Sequence, residues 1–127
     1  MKQLLAAFTM FICVNCIAQT SAKFTTATHS FGKIIQNKPA TFEFVFKNTG
    51  TKPLVIETAT AECGCTTPEY TKMPIAKGKN EKIKVTFNAA NMGIFKKNVT
   101  VKFANIAEPT VLNIDGEVIA SKPIKSK

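Results

Sequence analysis

Apolar and polar residues alternate with a period of two along most of this chain. Phe42, Phe44 and Phe46 alternate with Glu43, Val45 and Lys47, and Asn48-Thr49-Gly50 ends that run. Leu54 and Ile56 alternate with Val55 and Glu57, and Ile83, Val85 and Phe87 with Lys82, Lys84 and Thr86. Further on, Val99, Val101 and Phe103 alternate with Thr100 and Lys102, then Leu112, Ile114, Gly116 and Val118 with Asn113, Asp115 and Glu117. Successive side chains of a strand point to opposite faces, so each run predicts a strand with one face buried and one wet. Between the runs lie Gly50 with Pro53, Lys77-Gly78, Asn91-Met92-Gly93 and Glu108-Pro109, residue types that suit turns. No stretch carries a helical period.

A first strand over residues 24–31 and a short one over residues 73–76 bring the count to about seven antiparallel strands. That number, in a chain of this length, predicts an all-β protein, an immunoglobulin-like β-sandwich. The chain has no Trp, so the Cys…Trp…Cys core of antibody domains is missing. The core must rest on phenylalanines and aliphatics, each contributing roughly 1.5–3 kcal/mol when buried.

The first residues change the picture of where the protein works. Met1-Lys2 precede an apolar run over residues 4–14, shorter than the roughly 20 residues that span a bilayer. A positive start, a short apolar core and the small ends of Cys16-Ile17-Ala18 are what a signal peptidase reads. The expected organisation is therefore a cleavable signal peptide over 1–18, a sandwich domain over 19–120 and a basic tail over 121–127. Export follows, to the periplasm or beyond. A buried N-terminal helix and a lipid anchor on Cys16 are the competing readings. Val14-Asn15 before Cys16 is a poor lipidation context.

The chain carries 17 basic and 8 acidic residues, a formal net charge of +9, and every basic residue is Lys. Nucleic-acid readers favour the bidentate fork of Arg and aromatic stacking platforms. With no Arg, no Trp and one Tyr, no nucleic-acid partner is expected. Lysines at alternate strand positions read as a solvated sheet face, with room for weak contact to anionic surfaces.

Cleavage would leave two cysteines, in Cys63-Gly64-Cys65-Thr66. Residues at i and i+2 can bring their α-carbons within disulfide reach. Gly64 would permit the backbone that so small a ring demands, and an oxidising compartment favours the bond. Such a bond is easier to reduce than a structural one. Two thiolates at this spacing could instead hold a soft ion such as Cu(I), with His29, Met73 and Met92 as further ligand candidates. His29 itself reads as a surface residue. Thiol–disulfide exchange is a third chemistry, aided if Lys72 or Lys77 lies close, and free thiols without a role are the fourth. Thr66, Pro68 and Tyr70 continue the loop as candidate ligand contacts, although Tyr70 reads first as a cap on the end of the core. No Ser-His-Asp set, phosphate loop, zincin motif or carboxylate pair stands out. No enzyme and no cofactor are expected. The favoured function is a non-catalytic module binding another envelope or secreted protein, with thiol-redox or copper chemistry through Cys63 and Cys65 as the alternative.

The chain resembles the bacterial domain of unknown function 1573 family, secreted sandwich domains related to the MSP-like and ASPM-SPD-2-Hydin group. The matching residues are Phe44-Val45-Phe46-Lys47-Asn48-Thr49-Gly50, Pro53-Leu54-Val55-Ile56, Cys63-Gly64-Cys65-Thr66 with Pro68, and Ile75-Ala76-Lys77-Gly78. They continue through Ile83-Lys84-Val85-Thr86-Phe87, Gly93, Lys97, Val99, Val101 and Leu112-Asn113-Ile114-Asp115-Gly116. Cys-Gly-Cys-Thr is the most specific of these. Where the family usually places Pro before the turn glycine, this chain has Ala76-Lys77-Gly78. The resemblance implies the sandwich fold, export and a binding role, and no catalytic residues.

Overall fold

The structure, a computed structural model, describes residues 21–121; the expected signal peptide and nearly all of the basic tail lie outside them. Among the described residues no helix is long and apolar enough to cross a membrane. Among the described residues, eight strands form two four-stranded sheets. One sheet runs in the order β1 (Ala22–Phe24), β3 (Ala40–Asn48), β6 (Asn80–Phe87), β5 (Thr66–Glu69). The other runs β2 (Thr28–Ile35), β8 (Thr110–Ile119), β7 (Gly93–Phe103), β4 (Ile56–Ala61).

The alternation resolves as read from the sequence. Phe44, Phe46, Ile83, Val85 and Phe87 of one sheet meet Val99, Val101, Phe103, Leu112, Ile114 and Val118 of the other, all buried. Phe46 and Phe103 meet across the sandwich edge to face, 5.5 Å between centroids, a geometry that aromatic quadrupoles favour. Outward lysines reach carboxylates on the neighbouring strand, directly opposite in Lys84–Glu69 at 3.8 Å and diagonally in Lys82–Glu43 at 3.1 Å. Exposed pairs like these add little stability.

Five expectations need correction. The strand expected over residues 24–31 is two, β1 and β2, one in each sheet, because the chain crosses between them. β2 pairs with β8 in parallel, so the strands are not all antiparallel. Residues 73–76 form no strand: Ile75 makes a single bridge to Leu54. β5 stands where the loop is expected to continue, and β7 reaches back to Gly93, six residues before the expected run.

Two buried devices fix the connections. Asn48, 0% exposed, donates through Nδ2 to the carbonyls of Lys52 and Ile75, each at 2.9 Å, and accepts through Oδ1 from the Gly50 amide at 3.0 Å. It thereby ties the loop after β3 to the loop before β6. On β8, Gly116 lies opposite Phe95 of β7. A Cβ at position 116 would stand 2.7 Å from the Gly32 carbonyl oxygen and 2.8 Å from the Phe95 ring.

Candidate functional site

β4 ends at Ala61 in one sheet and β5 begins at Thr66 in the other, so the Cys63-Gly64-Cys65 segment is the crossing between sheets. Its α-carbons at positions 63 and 65 are 5.4 Å apart and the two sulfurs lie at bonding distance. Cys65 packs against the core, and its carbonyl accepts the Asn88 amide at 2.9 Å. The Thr66 hydroxyl lies 3.7 Å from the Cys65 sulfur and 4.0 Å from that of Cys63. Thr66 is only 3% exposed. It supports the sulfur pair from beneath, and burial removes it from the set of surface contacts expected of it. Pro68 lies half-buried on the edge strand β5, and Tyr70 is half-buried against the core.

Gly64 departs from expectation in a different way. Its φ is not among the positive values, and a Cβ there would meet nothing within 4 Å. The ring forms with an ordinary backbone, so the glycine leaves a bare, exposed tip. Gly64→Ala is therefore expected to change stability by less than about 0.5 kcal/mol, checked by urea denaturation. The Cys63→Ser, Cys65→Ser double variant should stay folded and lose only about 1–2 kcal/mol, because so short a closed loop restrains the unfolded chain little. A circular-dichroism melt of oxidised protein beside the variant reads this directly.

Next to the crossing lies a groove of about 350 Å³. Cys65 and Asn88 form one side, Phe87 and Phe95 the apolar wall, and residues 91–97 the other side. The two rings stack at 3.9 Å. Met92, 59% exposed, and Ile94, 88% exposed, stand at its rim. Of the further ligand candidates, Met92 therefore shares a groove with Cys65. Met73 lines a separate depression with Thr71 and Pro74. His29 is no simple surface residue: its ring stacks on Phe42 at 3.7 Å and meets Phe31 edge-on at 4.7 Å. Among the described residues, no three His, Cys, Asp or Glu side chains gather into a metal-holding group. Ile94 and Lys96 were missed in the sequence. The Phe95, Lys97, Val99 alternation, carried back two steps from Val99, would have placed them on the strand.

Residues 22–118 match the family model described as a protein of unknown function, DUF1573. The chain belongs to the DUF1573 family. No curated protein matches the sequence. Among solved structures, it is similar to the ASH/PapD-like domain 7 of human CEP192, with a TM-score of 0.72 and 9% identity over 94% of this chain and 100% of that one. It is similar also to a protein of unknown function from Porphyromonas gingivalis W83, with a TM-score of 0.66 and 13% identity over 81% of this chain and 51% of that one. A third is the Vibrio cholerae protease VesB, with a TM-score of 0.61 and 12% identity over 76% of this chain and 32% of that one. This DUF1573 chain thus spans about half of one bacterial protein and about a third of the other, and at such identities the likeness is one of fold.

Proposed function

We propose that this DUF1573 protein is exported, loses residues 1–18, and acts as a non-catalytic module. It binds another envelope or secreted protein through the end of the sandwich that carries Cys63-Gly64-Cys65, closed as a disulfide. The observation that carries this reading is the exposure of Ile94 and Met92 at the groove that Cys65 also lines. Large apolar side chains clustered next to an open groove mark contact surfaces. The PapD-like fold supports it as a scaffold whose loops gather at its two ends.

Photo-crosslinking residues placed at Gly64 and Ile94 in the native envelope test the reading, with Lys77, at the far end of β6, as control. Discrete adducts at 64 and 94 but not at 77 are expected. Adducts at none of the three, or equally at all, would sink it. The second reading, a soft-metal site, has one observation in its favour: Met92 lines the same groove as Cys65. An intact mass lacking the two thiol hydrogens, without copper uptake, supports the module. Alkylatable thiols that Cu(I) protects, less well in Met92→Ala, would favour the metal.

A further inference from the structure

β7 has eleven residues and β4 only six. β4 pairs with β7 from Val99 to Phe103, whereas β8 pairs with it from Gly93 to Val101. Among the described residues, 93–97 thus have a β-partner on one side only. The cause is the crossing described above: at Glu62 the chain leaves the sheet for Cys63-Gly64-Cys65 and β5. Glu62 marks the boundary, since its amide donates to the Asn98 carbonyl at 3.3 Å and its Oε1 accepts the Asn98 amide at 2.7 Å.

Those bonds also fix which groups face the opening. Asn98 directs its amide and carbonyl away from β8, as does Ala104, whose amide reaches Val55. Peptide groups alternate sides along a strand. Ile94 and Lys96 therefore direct theirs into the opening, and Phe95 and Lys97 direct theirs to β8. An unpaired row of this kind is a template for a further strand. The opening is also shaped to hold one. The groove with its Phe87 and Phe95 wall runs along it, and its opposite bank is pinned by bonds from Asn88 to Cys65, Asn37 to Ala89 and Gln36 to Ala90.

We propose, building on the interaction-module reading, that an extended acidic segment of the partner protein adds to this open edge of β7 as a fifth strand. Main-chain hydrogen bonds to Ile94 and Lys96 supply the affinity, and the groove receives alternate side chains, the mode by which exposed sheet edges capture peptides. The acidic character follows from the charges. The groove is lined by Lys96 and Lys97 and by no carboxylate. Asp115 and Glu117 stand opposite Lys96 and Ile94 on β8, away from the opening, and the Glu62 carboxylate is committed to the Asn98 amide. A net charge of +9 adds a long-range attraction of the same sign.

Amide hydrogen exchange on the labelled protein tests this, with three short synthetic peptides as probes. One alternates Val with Glu, one alternates Val with Lys, and the third is the Glu peptide N-methylated at every amide, so that neither of its edges can pair. In the free protein the amides of Ile94 and Lys96 should exchange fast and those of Phe95 and Lys97 slowly. Saturating Glu peptide should slow Ile94 and Lys96 by about tenfold or more, and the other two peptides should not. No slowing at those two amides, slowing at another sheet edge instead, or an equal response to both charges would overturn the proposal. Lys96→Pro removes an N–H that the fold does not use, so it should fold and lose the response, whereas Lys96→Ala should keep the slowing at Ile94. The N-methylated peptide decides the matter even if the proline variant fails to fold. Adducts at Ile94 that persist in folded Lys96→Pro would overturn strand addition and leave the interaction module standing. Absence of adducts at both 64 and 94 would remove the module itself.

Discussion

Replacing Asn48 by alanine is expected to destabilise the domain by about 3 kcal/mol, because a buried polar partner left unpaired costs about 1–3 kcal/mol. The Gly50 amide and the Lys52 carbonyl lose their bonds to this side chain, and the Ile75 carbonyl keeps only the Leu54 amide at 2.9 Å. For a domain of this size that is a fall in Tm of more than roughly 10 °C, read by calorimetry. Asn48→Asp gives the sharper comparison. It keeps an acceptor for Gly50 but places a carboxylate where the side chain is fully buried, and burial raises a carboxyl pKa in the folded state above its unfolded value of about 3.9. Between those two values the folded protein holds the extra proton, so stability falls as pH rises. The aspartate variant should be weakest at neutral pH and recover toward acid. A pH-independent penalty would mean that the side chain escapes to solvent.

Gly116→Ala is expected to cost about 2 kcal/mol, in the range for forcing one more carbon into a filled site. The added Cβ would stand 2.7 Å from the Gly32 carbonyl oxygen, a backbone atom, and 2.8 Å from the Phe95 ring. The ring can be trimmed and the carbonyl cannot. Phe95→Leu in the same chain should therefore return only part of the loss, judged against Phe95→Leu alone. Urea midpoints of the four proteins settle this. A single variant as stable as the parent would show that the strands do not approach so closely.

Asn48 and Gly116 also illustrate what the sequence could and could not say. The alternations around Phe44, Val85, Val101 and Ile114 were legible because each strand buries one face, and a period of two records that directly. Asn48 read only as the end of a run, since a side chain bonded to carbonyls at positions 52 and 75 leaves no local trace. The pairing of β2 with β8 was hidden because parallel and antiparallel edge strands share the same period. β5 was too short to show one, and its Pro68 looks like a loop residue. Of the candidate site, the cysteine loop was plain from its spacing. The open edge beside it was not, because it arises from the difference in length between β4 and β7, strands more than thirty residues apart that only the fold brings together.

The place of β8 has a consequence for how the molecule comes into being. It is the last strand among the described residues, yet it lies inside its sheet, between β2 and β7. Until residues 110–119 are available, β2 has no partner in its sheet and β7 lacks one on that side. Pairings between such distant parts of a chain form slowly, after the cost of closing the long loop. A chain still emerging from a ribosome or a secretion pore would hold one sheet at most, and would snap shut only as its final strand arrives. Such late completion would keep the chain threadable through the export proposed above.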